Sequence, residues 1–153
     1  MTYLFPKYFV ADYSKVEESF DSKRKNFLIR FAQLAAWHDT GVTGLSDVVS
    51  ERVIEILEPH GRILITSEVP LPAKYEKYRL NIPASDMHHA LYFADMYIGD
   101  SQTMTAEAAV LGTPSLRFND FVGKLGYLEE LERKYGLTFG IKTSQPENCI
   151  LRY

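Results

Sequence analysis

From Phe27 onward the chain alternates two hydrophobic patterns: short, nearly unbroken apolar runs, and longer stretches in which apolar residues return every three or four positions. The first pattern predicts buried strands and the second predicts helices packed through one stripe. Phe27 to Leu34, Arg62 to Thr66, Tyr97-Ile98, Pro114 to Phe118 and Thr138 to Lys142 read as five strands. Ser46 stands where a cap would open a helix whose Val48, Val49, Val53, Ile56 and Leu57 share a face, and Pro59 with Gly61 ends it. Ser85 is the expected cap of a second helix that turns Met87, Ala90, Leu91 and Ala94 inward. A third helix runs from Thr103 to Leu111 and stops at Gly112, and a fourth runs from Tyr127 to Tyr135 and stops at Gly136. Strands separated by helices predict an α/β fold: a parallel sheet with helices on both faces, in three layers.

Ahead of this pattern the first 26 residues read as a lead-in or linker segment, aromatic and then charged, with Phe5-Pro-Lys-Tyr-Phe9 expected to be extended. Residues 27–153 form the expected domain. No helix after the fifth strand is visible to cover that edge of the sheet, which suggests a truncated lobe.

Composition narrows the function classes. The 153 residues are 46 % apolar and 24 % charged, ordinary for one globular domain and too apolar for a disordered chain. Seventeen basic and 20 acidic side chains give a net charge of −3, so no positive field recruits nucleic acid or anionic lipid. Cys149 is the single cysteine, which excludes an internal disulfide and a cysteine-based zinc site. No apolar run reaches the roughly 18 residues of a membrane span, and the first residues lack the basic-then-apolar order of a signal peptide. A cytoplasmic protein without an integral membrane segment is the expectation.

In parallel sheets of this kind ligands bind beyond the carboxyl ends of the strands. That rule singles out the loops Trp37 to Leu45, Ser67 to Tyr75, Asn81 to Ser85, Gly99 to Thr105 and Asn119 to Lys124. The Gly99-Asp-Ser-Gln-Thr103 turn carries the most chemistry, because a strand leads directly into a helix there. The first amides of a helix have no intrahelical partner, and with the helix dipole they favour an anion such as a phosphate. Hydroxyls of Ser101, Thr103 and Thr105 would add donors, and the Glu107 carboxylate is placed to accept from the vicinal hydroxyls of a ribose. Ser101 serves equally as a simple helix cap, and Glu107 equally as a charge favoured by the positive helix end.

The run Asp100-Ser-Gln-Thr-Met-Thr-Ala-Glu-Ala108 followed by Gly112-Thr-Pro114 resembles the nucleotide-sugar segment of GT-B-fold proteins. UDP-N-acetylglucosamine 2-epimerases are similar, with Asp-Ser-Gly-Gly-x-x-Glu-Glu-Ala in the same register; here Gln102-Thr103 replaces the two glycines. Tyr3-Leu-Phe-Pro6, Trp37-x-Asp39, Gly44-Leu-Ser46, Ser67-Glu68, Lys77-Tyr-Arg-Leu80, Tyr97 to Met104, Glu107 to Pro114, Arg117-Phe-Asn119, Leu128-Glu-Glu-Leu131 and Lys134-Tyr-Gly-Leu137 also resemble domain of unknown function 354 over nearly the whole chain.

These resemblances imply a Rossmann-like domain equivalent to the C-terminal lobe of a GT-B protein, with an N-terminal lobe of the same protein as partner. They imply a small-molecule ligand, a nucleotide-sugar of the UDP-sugar type, with no cofactor and no metal required. Ser101, Gln102 and Thr103 would meet the diphosphate, Glu107 the ribose, and the backbone at Ile82 the base. Glu68, Arg117 and Asn119 would rim the sugar pocket, and His38 would be the proton-moving catalytic residue. The complete protein would be a glycosyltransferase or a sugar-nucleotide epimerase, the isolated lobe being inactive because catalysis needs the interlobe cleft. A homo-oligomer is compatible with the sequence. The alternative is a non-catalytic binding or scaffolding module that keeps the fold. A metal centre built on His38, Asp39, His88, His89 and Asp95 is rejected, because adjacent helical histidines diverge.

Overall fold

The computed structural model describes residues 2–31, 45, 47–68, 70–118 and 126–141. Five strands carry the fold: β1 (Lys25–Phe31), β2 (Gly61–Ser67), β3 (Met96–Gly99), β4 (Ser115–Phe118) and β5 (Thr138–Ile141). They pair in parallel in the order β2-β1-β3-β4-β5. Parallel neighbours need crossover connections, and four helices serve: α1 (Asp47–Leu57), α2 (Met87–Phe93), α3 (Gln102–Leu111) and α4 (Gly126–Arg133). The fold is therefore the expected α/β, Rossmann-like arrangement.

The period of two along each strand sorts the core into two layers. Phe27, Ile29 and Phe31 of β1 join Ile63, Ile65, Ile98, Leu116 and Ile141 with Val53 and Ile54 of α1 in one cluster. Leu28, Leu64 and Tyr97 point the other way and pack with Ala90 and Leu91 of α2 and Met104 and Ala108 of α3. Val16 and Phe20, from the lead-in segment, complete this second cluster. Gly112 ends α3 at φ 86°, a left-handed conformation that glycine adopts without strain.

Three local expectations are corrected. Val48 is 76 % exposed, whereas Ser50, Val53 and Ile54 are buried. At about 100° per residue, Val48 lies opposite the mean direction of Val49, Val53, Ile54 and Leu57. Ser85 does not cap α2: it sits inside a 3₁₀ turn, Ala84–Asp86, that begins at Pro83. The fixed φ of proline opens a tighter turn there before α2 starts. The Phe5–Phe9 stretch is a turn and not an extended segment, since the amides of Tyr8 and Phe9 both donate to the Phe5 carbonyl at 2.8 and 3.0 Å.

The strand order contains a switch point. The chain leaves β1 to build β2 on one side, then returns to build β3 on the other. The order therefore reverses between β1 and β3, the switch point beyond whose carboxyl ends open parallel sheets hold ligands in a crevice. α3 begins at that point, immediately after β3.

Candidate functional site at the start of α3

Ser101 holds the N-cap of α3 in extended backbone, and its Oγ accepts from the Met104 amide at 3.4 Å. Its carbonyl accepts from the Thr105 amide at 3.1 Å. The Thr105 hydroxyl donates to that same carbonyl at 2.8 Å and is buried. It is therefore not a donor toward the crevice, which corrects the expectation placed on it. Among the described residues the Gln102 and Thr103 amides carry no bond to a protein acceptor. Gln102 is half-buried and Thr103 exposed, so this end of the helix is open.

Glu107 lies five residues further on, about 7.5 Å along the helix axis. It is buried at 7 % exposure, and each carboxylate oxygen has a neighbour. The Tyr3 hydroxyl donates to one, and His88 Nε2 lies 3.2 Å from the other. The hydrogen bond to Glu107 pushes the Tyr3 phenol above its ordinary range. Tyr3 reaches Glu107 from 104 positions away in sequence, and no periodicity signals such a contact.

The sheet beneath carries further polar groups, of which the sequence reading left Arg30 and Tyr97 unplaced and put Arg117 on the pocket rim. Register aligns Thr66, Arg30, Gly99, Arg117 and Gly140 in one row across the carboxyl ends of all five strands. Arg30 bonds Glu68 at 2.5 Å and reaches the Thr66 hydroxyl at 3.5 Å. Arg117 is fully buried, with its guanidinium 3.7 Å from Glu129 of α4. The fully buried Tyr97 phenol folds over Gly99, where a Cβ would overlap its hydroxyl. That hydroxyl has no hydrogen-bond partner among the described residues. Burial, and then the charge of Asp100, raises its pKa, so it remains a neutral donor. A charged residue inside an apolar strand, as in Leu28-Ile-Arg-Phe31 and Leu116-Arg-Phe118, was the available sequence signal.

The structure brings Ser101, Gln102 and Thr103 together at the helix start, with Glu107 on the same helix. Glu68 stands one residue beyond β2, tied to Arg30. Ile82 is half-buried against the cluster formed by α2 and α3. His38 and Asn119 lie outside the described residues. His88 and His89 diverge: His88 faces Glu107, while His89 Nδ1 accepts from the Asp12 amide at 3.1 Å. Among the described residues no group of three or more His, Cys, Asp or Glu side chains is placed to hold a metal, and no helix is long and apolar enough to cross a membrane.

No family model and no curated protein matches this chain, so membership of domain of unknown function 354 is not shown. Among solved structures it is similar to a histidine-to-alanine variant of the wall teichoic acid polymerase TagF, with 13 % sequence identity and a TM-score of 0.49. The likeness covers 76 % of this chain, and the chain spans 29 % of the polymerase chain.

Proposed function

We propose that the crevice at the carboxyl ends of β1 and β3 binds a nucleotide-sugar of the UDP-sugar type. The carrying observation is the open start of α3 at the switch point of the sheet, where the Gln102 and Thr103 amides have no protein acceptor among the described residues. A diphosphate at that end meets donors already oriented, and the helix dipole adds to the attraction. Arg30 and Arg117 flank Gly99 just ahead of it. The buried Tyr97 hydroxyl adds a neutral donor with no partner among the described residues.

In this reading Ser101, Gln102 and Thr103 hold the diphosphate, Glu107 accepts from the ribose, and the Ile82 backbone faces the base. Glu68 and Asn119 rim the sugar pocket. Arg117, being fully buried against Glu129, supports that rim from beneath. His38, on the connection after β1, is the candidate for moving a proton. The full protein would be a glycosyltransferase or a sugar-nucleotide epimerase, with the acceptor supplied by a second lobe; a leaving diphosphate would be stabilised by dipoles already in place.

A non-catalytic binding module is the second reading. It is favoured by the engagement of Glu107 with Tyr3 and His88 and by the side chains of Gln102 and Thr103 where relatives of the resembled type carry glycine. Thermal unfolding separates the two. A ligand present at a hundred times its dissociation constant adds about 2.7 kcal/mol, which raises Tm by roughly 5–10 °C for a chain of this size. UDP is expected to produce such a shift and uridine is not. Absence of a shift with any nucleoside diphosphate overturns the first reading.

A further inference from the structure

The carboxylate assigned to the ribose is already covered by the chain's own N-terminal segment. Thr2–Leu4 forms a 3₁₀ turn against α3, and its Tyr3 hydroxyl occupies one oxygen of Glu107. The Tyr3 ring stacks edge-on to His88 at 5.7 Å, and His88 Nε2 stands 3.2 Å from the other oxygen. Phe9 then lies against both histidines, at 6.2 Å from His88 and 5.0 Å from His89. The strap is fastened a last time where the Asp12 amide meets His89 Nδ1 and Tyr13 packs on Phe93 at 5.2 Å.

This fastening is shallow. Between residues 2 and 15 only Leu4 is buried, and the apolar anchors Val16 and Phe20 lie beyond the strap. A segment with one buried side chain and few bonds opens locally at little cost, while the domain stays folded. A vicinal diol needs open access to the carboxylate, and in the closed strap the Tyr3 hydroxyl already bonds one of its oxygens.

We infer that residues 2–13 are an autoinhibitory strap: Tyr3 competes with the ribose hydroxyls for Glu107, and nucleotide binds once the strap has lifted. This rests on the nucleotide-sugar reading and adds its regulation. The closed fraction lowers the apparent affinity in proportion, because only the open state is competent. Tyr3→Phe deletes the competing hydroxyl while keeping the ring on His88, and so shifts the balance toward the open state without touching the ligand groups.

The test is calorimetric titration of UDP into the full chain as wild type and as Tyr3→Phe, with amide hydrogen exchange at Tyr8 and Phe9 followed in parallel. Removing one hydrogen bond to a charged group is expected to tighten UDP binding about tenfold, and UDP is expected to accelerate exchange at Tyr8 and Phe9 in the wild type. If UDP binds both proteins equally and leaves exchange unchanged, the strap does not compete, and the nucleotide reading survives alone. If UDP binds neither protein while Tyr3→Phe still accelerates exchange, the strap lifts but guards no nucleotide site; the nucleotide reading then falls and takes this inference with it.

Discussion

The two faces of the sheet differ sharply in chemistry. Toward α1, the strands present Phe27, Ile29, Phe31, Ile63, Ile65, Ile98, Leu116 and Ile141, all hydrocarbon and all buried. Toward α2 and α3, the carboxyl halves of the central strands present Arg30, Tyr97, Gly99 and Arg117. Taking a guanidinium out of water, or burying a phenol that has no partner among the described residues, opposes folding, whereas hydrocarbon at the same depth favours it. One face is built to hold the sheet together. The other carries polar groups at the switch point of the strand order, the position at which open parallel sheets take ligands.

Substitutions on the two faces should separate their roles. The largest effect is expected at Arg117. Arg117→Ala removes a fully buried side chain and its ion pair with Glu129, at a cost of about 3–5 kcal/mol, measured by denaturant unfolding. Arg117→Met restores the volume and is expected to recover most of that loss; an equally unstable methionine variant would assign the role to the charge. On the hydrocarbon face, Ile98→Ala should cost about 2–5 kcal/mol and leave UDP affinity unchanged in the surviving folded protein. A loss of affinity there would erase the division between the faces.

Glu107→Gln keeps shape and burial but removes the charge. UDP affinity is expected to fall about tenfold, or 1.4 kcal/mol, with Tm nearly unmoved; a collapse in Tm instead would make Glu107 a structural acceptor for Tyr3 and His88. Tyr97→Phe deletes a hydroxyl that has no partner among the described residues, so stability should hold or rise by up to about 1 kcal/mol.

The smallest effect belongs to the rim of the hydrocarbon face. There Asp47 of α1 accepts from Lys74 and from Tyr75, the latter at 2.6 Å. Burial opposes its charge, but these two bonds outweigh it and hold the carboxyl below the ordinary range. A depressed carboxylate contributes stability above its unfolded pKa, and that contribution is lost as pH falls through the folded value. Wild type should therefore lose its small Tm advantage over Asp47→Asn below about pH 4, in melts run between neutral and acid.

Much of the scaffold was legible in the sequence because its signal is local. Apolar runs such as Arg62-Ile-Leu-Ile-Thr66 mark strands, and Gly112 marks the end of α3. The open turn at Ser101 was legible for the same reason, since a cap and its free amides belong to consecutive residues. The failures are of a different kind. Val48 shows that a list of apolar helix positions does not fix which of them face the core. The contact from Tyr3 to Glu107 spans the domain, and only the closed fold brings the two together. Arg30 and Arg117 are visible as charges in apolar strands, yet their place on either side of Gly99 needs the register.

The central claim is that the start of α3 receives a diphosphate, and amide chemical shifts during titration with UDP test it most directly. The Gln102 and Thr103 amides are expected to move most, to respond to UDP and pyrophosphate, and to ignore uridine. Saturable UDP binding that leaves these two amides unmoved would contradict the account.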